Sequence, residues 1–278
     1  MALVYENNRG SYSVDKVGAF SQVLHNGIPR DMSFNDIVAH IGDEVKAEYD
    51  VTQGALNNCN GDWYEWLIAI KAWNKRVQSD KEQLAALLLP KVSSYNVADL
   101  YVDEISDLIA DLISKVSNST DVELITSNPD FVLIDPSHID LPHWFHEPID
   151  LITEDVVGRL ESAYKCFHDQ CELNHLRGYI SVKKSMRPDR RLQIPHEGSL
   201  MKAIYTHIQT REWIMEPQGI RYYAASADLT GADRAALKTV ATHSITTVHK
   251  LPQAAVDDAF IINEPDEVDA ALEAMLAV

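Results

Sequence analysis

The spacing of apolar positions divides the chain into helical and extended blocks. Residues 17–24 suit a short helix. Residues 33–49 place Ile37, Val38, Ile41 and Val45 on one helical face, with Ser33 where an N-cap belongs. Residues 54–60 read as a loop, and Asn60-Gly61-Asp62 then opens a strongly apolar helix over 63–73. Trp66, Leu67, Ile70 and Trp73 share a face of it, and Glu65 lies inside. After a break at Pro90 the periodicity predicts a long helix over 97–116. Residues 122–125 and 131–134 read as short strands interrupted by Asn128-Pro129-Asp130.

A Pro- and His-containing loop over 135–148 leads to a helix over 154–173, with Val157, Leu160, Ala163, Tyr164 and Phe167 inward. A β-branched and aromatic strand follows at 178–182, then a helix from about 197 to 213 that puts Glu197 near its start. Further strands are predicted at 222–226 and 245–248, with a helix over 233–242 between them and a closing helix over 266–276. Helices alternating with strands in one block give an α/β domain.

The densest chemistry follows the strand at 178–182. Lys183 to Arg191 holds five basic residues and one acid. Pro188 fixes its own φ and bars Arg187 from helical geometry, which predicts a stiff turn carrying Asp189, Arg190 and Arg191. A basic run is by itself an ordinary solvated face.

Composition narrows the field. The 278 residues allow one large domain or two small ones, and 46% hydrophobic content is that of an ordinary globular chain. No apolar run reaches the roughly 18 residues of a membrane span, and no signal peptide opens the sequence. The net charge of −18 argues against a generic nucleic-acid coat, while leaving room for a local basic surface that grips phosphate selectively. Cys59, Cys166 and Cys171 lack CxxC spacing and read as cytoplasmic free thiols. The placing of Cys166 and Cys171 on an apolar-periodic helix, with His168 and His175 nearby, favours structural roles over a metal cluster.

Four ionisable positions gain meaning together: Glu65 in a helix, Asp130 at a strand entrance, Lys183 at a strand end and Glu197 fourteen residues later. Hard carboxylate oxygens hold a divalent cation that neutralises phosphate and activates water, and an ammonium stabilises developing charge.

On these residues the chain resembles the CCGG-cutting type II restriction endonucleases, a branch of the PD-(D/E)xK nucleases. Asn128-Pro129-Asp130 matches the PD element, Ser181-Val182-Lys183 the SxK element, and Arg187-Pro188-Asp189-Arg190 the RxDR base-reading signature. Glu197 sits at the K-x13-E spacing, and Glu65 resembles the upstream helical glutamate. The resemblance runs over most of the chain, including Asn7-Asn8-Arg9-Gly10. Ser181 stands where the wider superfamily carries Asp or Glu; in the CCGG branch that carboxylate comes from the following helix, as Glu197 would supply it.

The resemblance implies a restriction-endonuclease-like core, a mixed central sheet flanked by helices, spanning 1–278 with 1–30 as an N-terminal arm. It implies Mg2+ as cofactor, held by Asp130, Glu197 and Glu65 with the Val182 carbonyl, and Lys183 acting on the attacking water. Arg187 and Arg190 would read the guanines of CCGG and Asp189 the cytosines, with Asp15 and Arg234 near the outer base pairs. The implied product is a 5′-phosphate end with a four-base 5′ overhang. The expected partners are double-stranded DNA and a second copy in a homodimer, with a tetramer as the larger form, in the bacterial cytoplasm. Two alternatives stand beside this: a non-catalytic DNA-binding protein on the same scaffold, and a metal enzyme using His138, His143, His146 and Glu147. The latter residues lack HExxH order.

Overall fold

The computed structural model describes residues 3–6, 12–91, 93–119, 123–124, 128–214, 218–246 and 251–277. Near the start, β1 (Val4–Glu6) and β2 (Tyr12–Val14) form an antiparallel hairpin. Helices α1 (Lys16–Val23) and α2 (Phe34–Glu48) follow, the latter capped by Ser33, whose hydroxyl accepts from Asp36 N.

The long helix α3 (Gln53–Val77) is the pillar of the molecule. Its tryptophans bury their rings while each indole N–H finds an acceptor on a different element. Trp63 donates to the Lys16 carbonyl at 2.8 Å, Trp66 to Glu161 at 3.2 Å and Trp73 to the Glu147 carbonyl at 2.9 Å. The Tyr64 hydroxyl donates to the Ile262 carbonyl.

Beyond α3 come β3 (Ala85–Leu88), a 3-10 turn over Val97–Leu100, α4 (Asp103–Ser119) and β4 (Phe131–Ile134). Then follow α5 (Glu154–Ser162), a 3-10 turn over Ala163–Phe167, β5 (Leu176–Lys183) and α6 (Pro188–Arg211). The described chain closes with β6 (Arg221–Ser226), α7 (Gly231–Leu237), α8 (Thr242–Ile245), β7 (Asp258–Ile261) and α9 (Pro265–Leu276).

Five strands make the central sheet in the order β3-β4-β5-β6-β7. β3, β4 and β5 pair antiparallel, and β5, β6 and β7 pair parallel, so the sheet is mixed, as expected. β4 is wholly buried and β5 nearly so, which accounts for their uninterrupted apolar character. α3 and α5 pack on β3, α6 on β6 and α9 on β7. The helices thus flank the sheet, and the C-terminal end of β5 delivers Lys183 to its rim.

Several boundaries differ from the sequence reading. Residues 54–60 are helical: Thr52 caps α3, its hydroxyl accepting from Ala55 N at 3.2 Å, and the helix runs through Gly61. The predicted helix over 97–116 breaks at Tyr101 and Val102, where Val102 N donates to the Cys171 carbonyl and Cys171 N to the Leu100 carbonyl. The predicted helix over 154–173 ends at Ser162, so Cys166 lies in a 3-10 turn and Cys171 in that backbone bridge. The basic stretch is no isolated turn. Pro188 occupies the first position of α6, where its missing N–H costs nothing, so Asp189, Arg190 and Arg191 are helical. Glu197 is therefore the tenth residue of that helix, which continues past Pro195. The helix predicted over 233–242 is shorter, and Ile245 ends a short helix. Thr247 and Val248, like Val122, Ile125 and Asn7-Asn8-Arg9-Gly10, lie outside the described residues.

Candidate active site

The strand entrance before β4 is built around Asn128. Its amide N–H groups donate to the Pro90 carbonyl at 2.7 Å and the Tyr95 carbonyl at 2.8 Å, and its Oδ1 accepts from Val97 N at 3.1 Å. Three bonds from one side chain fix the backbone ahead of buried Pro129 and Asp130. The β4–β5 register, with Phe131 opposite Ile180, continues to set Asp130 beside Ser181. Asp130 Oδ2 accepts from Val182 N at 2.5 Å and from the Lys183 ammonium at 2.8 Å, with Ser181 Oγ at 3.4 Å. The PD and SxK elements thus meet directly.

Glu65 reaches the same centre from α3. Burial pushes its carboxyl up to about 8, and the neighbouring Asp130 carboxylate adds to the rise, while Lys183 opposes it. Asp62, one turn earlier on α3, raises it further, and pairs with Lys16 at 2.5 Å. Two carboxylates and one ammonium are therefore electrostatically coupled at the rim of the sheet.

Glu197, on α6, is held by two side chains. Its Oε1 accepts from Gln193 Nε2 at 2.8 Å and its Oε2 from the Tyr222 hydroxyl at 3.1 Å. Burial first, and then the charges of Glu197 and Asp130, hold the Tyr222 phenol protonated. Among the described residues no three His, Cys, Asp or Glu side chains gather as a ready-made metal cage. Mg2+ does not ask for one, since it binds through one or two carboxylates and keeps several waters. The hard-oxygen donors Asp130, Glu65, Glu197 and the Val182 carbonyl suit that cation, and the cost of holding Glu65 ionised beside Asp130 is what a divalent charge would offset.

An open cleft of about 900 Å³ joins this centre to the arginines: Glu65, Val182 and Lys183 line it together with Arg187, Asp189 and Arg190. Glu197 does not line that cleft. Arg187 is the exposed N-cap residue of α6 and donates to Asp189 at 3.2 Å. Arg190 donates to the Ser185 carbonyl at 2.6 Å, which braces its guanidinium against the strand-to-helix link. Arg191 turns elsewhere and pairs with buried Asp233 at 2.5 Å, fastening the start of α6 to α7.

Comparison with known proteins fits this geometry. The family model described as Cfr10I/Bse634I restriction endonuclease matches residues 4–278. The chain belongs to the Cfr10I/Bse634I restriction endonuclease family. One relative, the type II restriction enzyme Cfr10I of Citrobacter freundii, is 40% identical over 286 aligned positions covering 100% of both chains. The solved structure of the Bse634I restriction endonuclease superposes with a TM-score of 0.89 at 29% identity, over 98% of this chain and 96% of that one. The crystal structure of the type IIF enzyme Bse634I with cognate DNA gives 0.88 at 28% identity with the same coverage. This member of the family is thus a type II site-specific deoxyribonuclease with a restriction-endonuclease fold.

Two expected site residues of this Cfr10I/Bse634I family member have bonds of their own. Asp15 caps α1, accepting from Gly18 N at 3.1 Å. Arg234, on α7, donates to the Ala259 carbonyl at 2.6 Å and ties that helix to β7. Neither lines the cleft with Arg187 and Arg190. His143 pairs with Glu147 at 2.9 Å, and His138 stacks on His175 at 4.8 Å.

The sequence places Asn128 only as the residue before Pro-Asp and does not mark Tyr222 as a site residue. Asn128 was legible in principle, because an Asn before Pro-Asp can staple a turn. Tyr222 was not, since a tyrosine in a buried strand carries no mark of what its hydroxyl meets. Asn57 and Asn60 also line the cleft, which is why the first turns of α3 are polar enough to resemble a loop.

Proposed function

We propose that the chain cuts both strands of DNA at a palindromic site with CCGG at its centre. The reaction is Mg2+-dependent hydrolysis leaving 3′-hydroxyl and 5′-phosphate ends with four-base 5′ overhangs. The observation that carries this reading is the Lys183–Asp130 pair at 2.8 Å, whose lysine lines the cleft that also holds Arg187 and Arg190.

Asp130 and Glu197 would hold Mg2+, with the Val182 carbonyl as an extra ligand and Glu65 completing the acidic site. When bound, the cation neutralises the scissile phosphate and makes water a stronger nucleophile. Lys183, held by Asp130, orients the attacking water and stabilises charge on the phosphate. Arg187 and Arg190 each grip O6 and N7 of a guanine, and Asp189 accepts from cytosine N4. Because the arginines begin four residues beyond Lys183, correct base contact and alignment of the reacting groups are mechanically coupled. Asp15 and Arg234 are the outer-base contacts in this reading, and each gives up its present bond to reach a base edge.

A palindromic target calls for two-fold symmetry, so we assign a homodimer on DNA, with a tetramer as the larger assembly. The relative solved with cognate DNA supports a duplex partner. We treat 1–278 as one restriction-endonuclease-like domain with 1–30 as its arm. We place it in the bacterial cytoplasm, where three free thiols persist. No helix among the described residues is long and apolar enough to cross a membrane.

Digestion of a sequenced plasmid with Mg2+, followed by mapping of the ends, tests the reaction; uncut plasmid overturns it. R187A and R190A are expected to lose about 1–3 kcal/mol of discrimination per base contact. Cleavage of CCGG at the unmutated rate by either variant would remove the base assignment.

A further inference from the structure

Strand β5 carries serine at 181, so the carboxylate in this reading arrives from α6, a separate element. A side chain delivered by a packed helix keeps its place only as well as the helix is fixed and its rotamer held. Four observations bear on how that is done here. Tyr222 is fully buried, yet its hydroxyl donates to Glu197 Oε2 at 3.1 Å. Ser181, also buried, lies beside the same phenol, and its hydroxyl donates to Asp130 Oδ2 at 3.4 Å. Tyr222 pairs with Tyr179 in the β5–β6 register, so Tyr222, Tyr179 and Ser181 share one face of the sheet. Gly198 follows Glu197, and a Cβ there would sit 3.0 Å from Tyr222 Cδ1 and 2.3 Å from the Ala255 carbonyl oxygen.

Two other buried tyrosines behave differently. Tyr205 donates to the Leu173 carbonyl and Tyr64 to the Ile262 carbonyl, the ordinary way a core tyrosine satisfies its polar tip. Tyr222 gives its proton to a carboxylate of the candidate centre.

We propose that Tyr222 is a positioning residue of the active centre: its phenol, reached only because position 198 lacks a Cβ, fixes the Glu197 carboxylate for metal binding. The hydrogen bonds have a direction. The phenol donates to Glu197 and the Ser181 hydroxyl donates to Asp130, so each proton points towards a carboxylate that must stay anionic. Serine at 181 thus stands between that phenol and Asp130, the strand-borne carboxylate.

This inference rests on Glu197 being an Mg2+ ligand, so E197Q is measured alongside. E197Q is expected to lose cleavage and the Mg2+-induced rise in melting temperature of the DNA-free protein; if it keeps both, the metal reading itself fails. Y222F retains the ring and removes only the hydroxyl. It should need about 10-fold more Mg2+ for the half-maximal rise in melting temperature. Its single-turnover cleavage should be slow at limiting Mg2+ and restored at saturating Mg2+, with DNA affinity unchanged. S181A should move the Mg2+ midpoint the same way by less, and it serves as the measurement if Y222F does not fold. With E197Q inactive, a Y222F or S181A midpoint equal to the unmutated one overturns the proposal. So does a fall in melting temperature with the midpoint unmoved, which marks a purely structural tyrosine.

Discussion

The Lys183 ammonium lies 2.8 Å from Asp130 Oδ2, the oxygen that also accepts the backbone N–H of Val182. One carboxylate oxygen therefore fixes both the strand end and the cation it carries. With both side chains about a fifth exposed, the pair is shielded enough for its charge-assisted bond to be short and geometrically defined. The K183A variant should bind CCGG duplex and lose about 10²–10⁴-fold in single-turnover cleavage, the span attributed to a positioned proton-transfer group. Gel-shift titration beside a quenched time course checks it. Cleavage within a few-fold of the unmutated rate would mean that the ammonium serves only to anchor Asp130.

The anchoring of Asp130 begins two residues earlier. Asn128 makes three bonds to backbone at 2.7, 2.8 and 3.1 Å, all of them partly buried. N128A leaves the Pro90 and Tyr95 carbonyls and the Val97 N–H without that partner. At about 1 kcal/mol net per bond, urea denaturation should report a loss of about 2–3 kcal/mol. Cleavage should fall as well, because the Pro129-Asp130 backbone loses its register. A variant as stable as the parent would show that solvent replaces the staple.

Much of the layout was legible because its residues obey one local rule at a time. Residues 131–134 are an unbroken apolar run after a proline turn, and 266–276 is an amphipathic helix; both elements appear where expected. The errors fall where function or tertiary packing overrode local pattern. Residues 54–60 look like a loop because Asn57, Asn60 and Gly61 face the cleft, although Thr52 caps a helix beneath them. The Arg187–Arg191 stretch reads as a turn because a proline and four charges hide the helix start; the proline is in fact the first residue of α6. Ala85–Leu88 and Asp258–Ile261 are short edge strands whose pairing depends on partners far along the chain. At the candidate centre the meeting of Asp130 with Lys183 follows from motif order, whereas the contact of Glu197 with Tyr222 depends on how α6 lies across β6.

That crossing predicts a cost at Gly198. A methyl group there meets the Ala255 carbonyl oxygen at 2.3 Å, a backbone atom that cannot swing aside, and the Tyr222 ring at 3.0 Å. G198A should destabilise by about 1–3 kcal/mol through overpacking. It should also displace Glu197 and weaken Mg2+-dependent cleavage more than DNA binding. Thermal melts and a Mg2+ titration of the cleavage rate separate the two effects. An unchanged melt would mean that α6 stands further from β6 than these distances imply.

Glu65 gives the protein a pH dependence of its own. Burial and the Asp130 charge raise its folded value from 4.5 to about 8. Between those values the folded chain holds a proton that the unfolded chain has released. Stability from this group is therefore complete below about pH 4.5, falls as pH rises, and is gone above about pH 8. Glutamine at this position cannot titrate, so E65Q is spared that loss. In EDTA, the melting temperature of E65Q relative to the parent should climb across this window and level off at its alkaline end. Ionisable groups that do not face Glu65 act on both proteins alike and cancel in the difference. Parallel curves across the window would show that Glu65 is already ionised in the metal-free fold, with its charge met by Lys183.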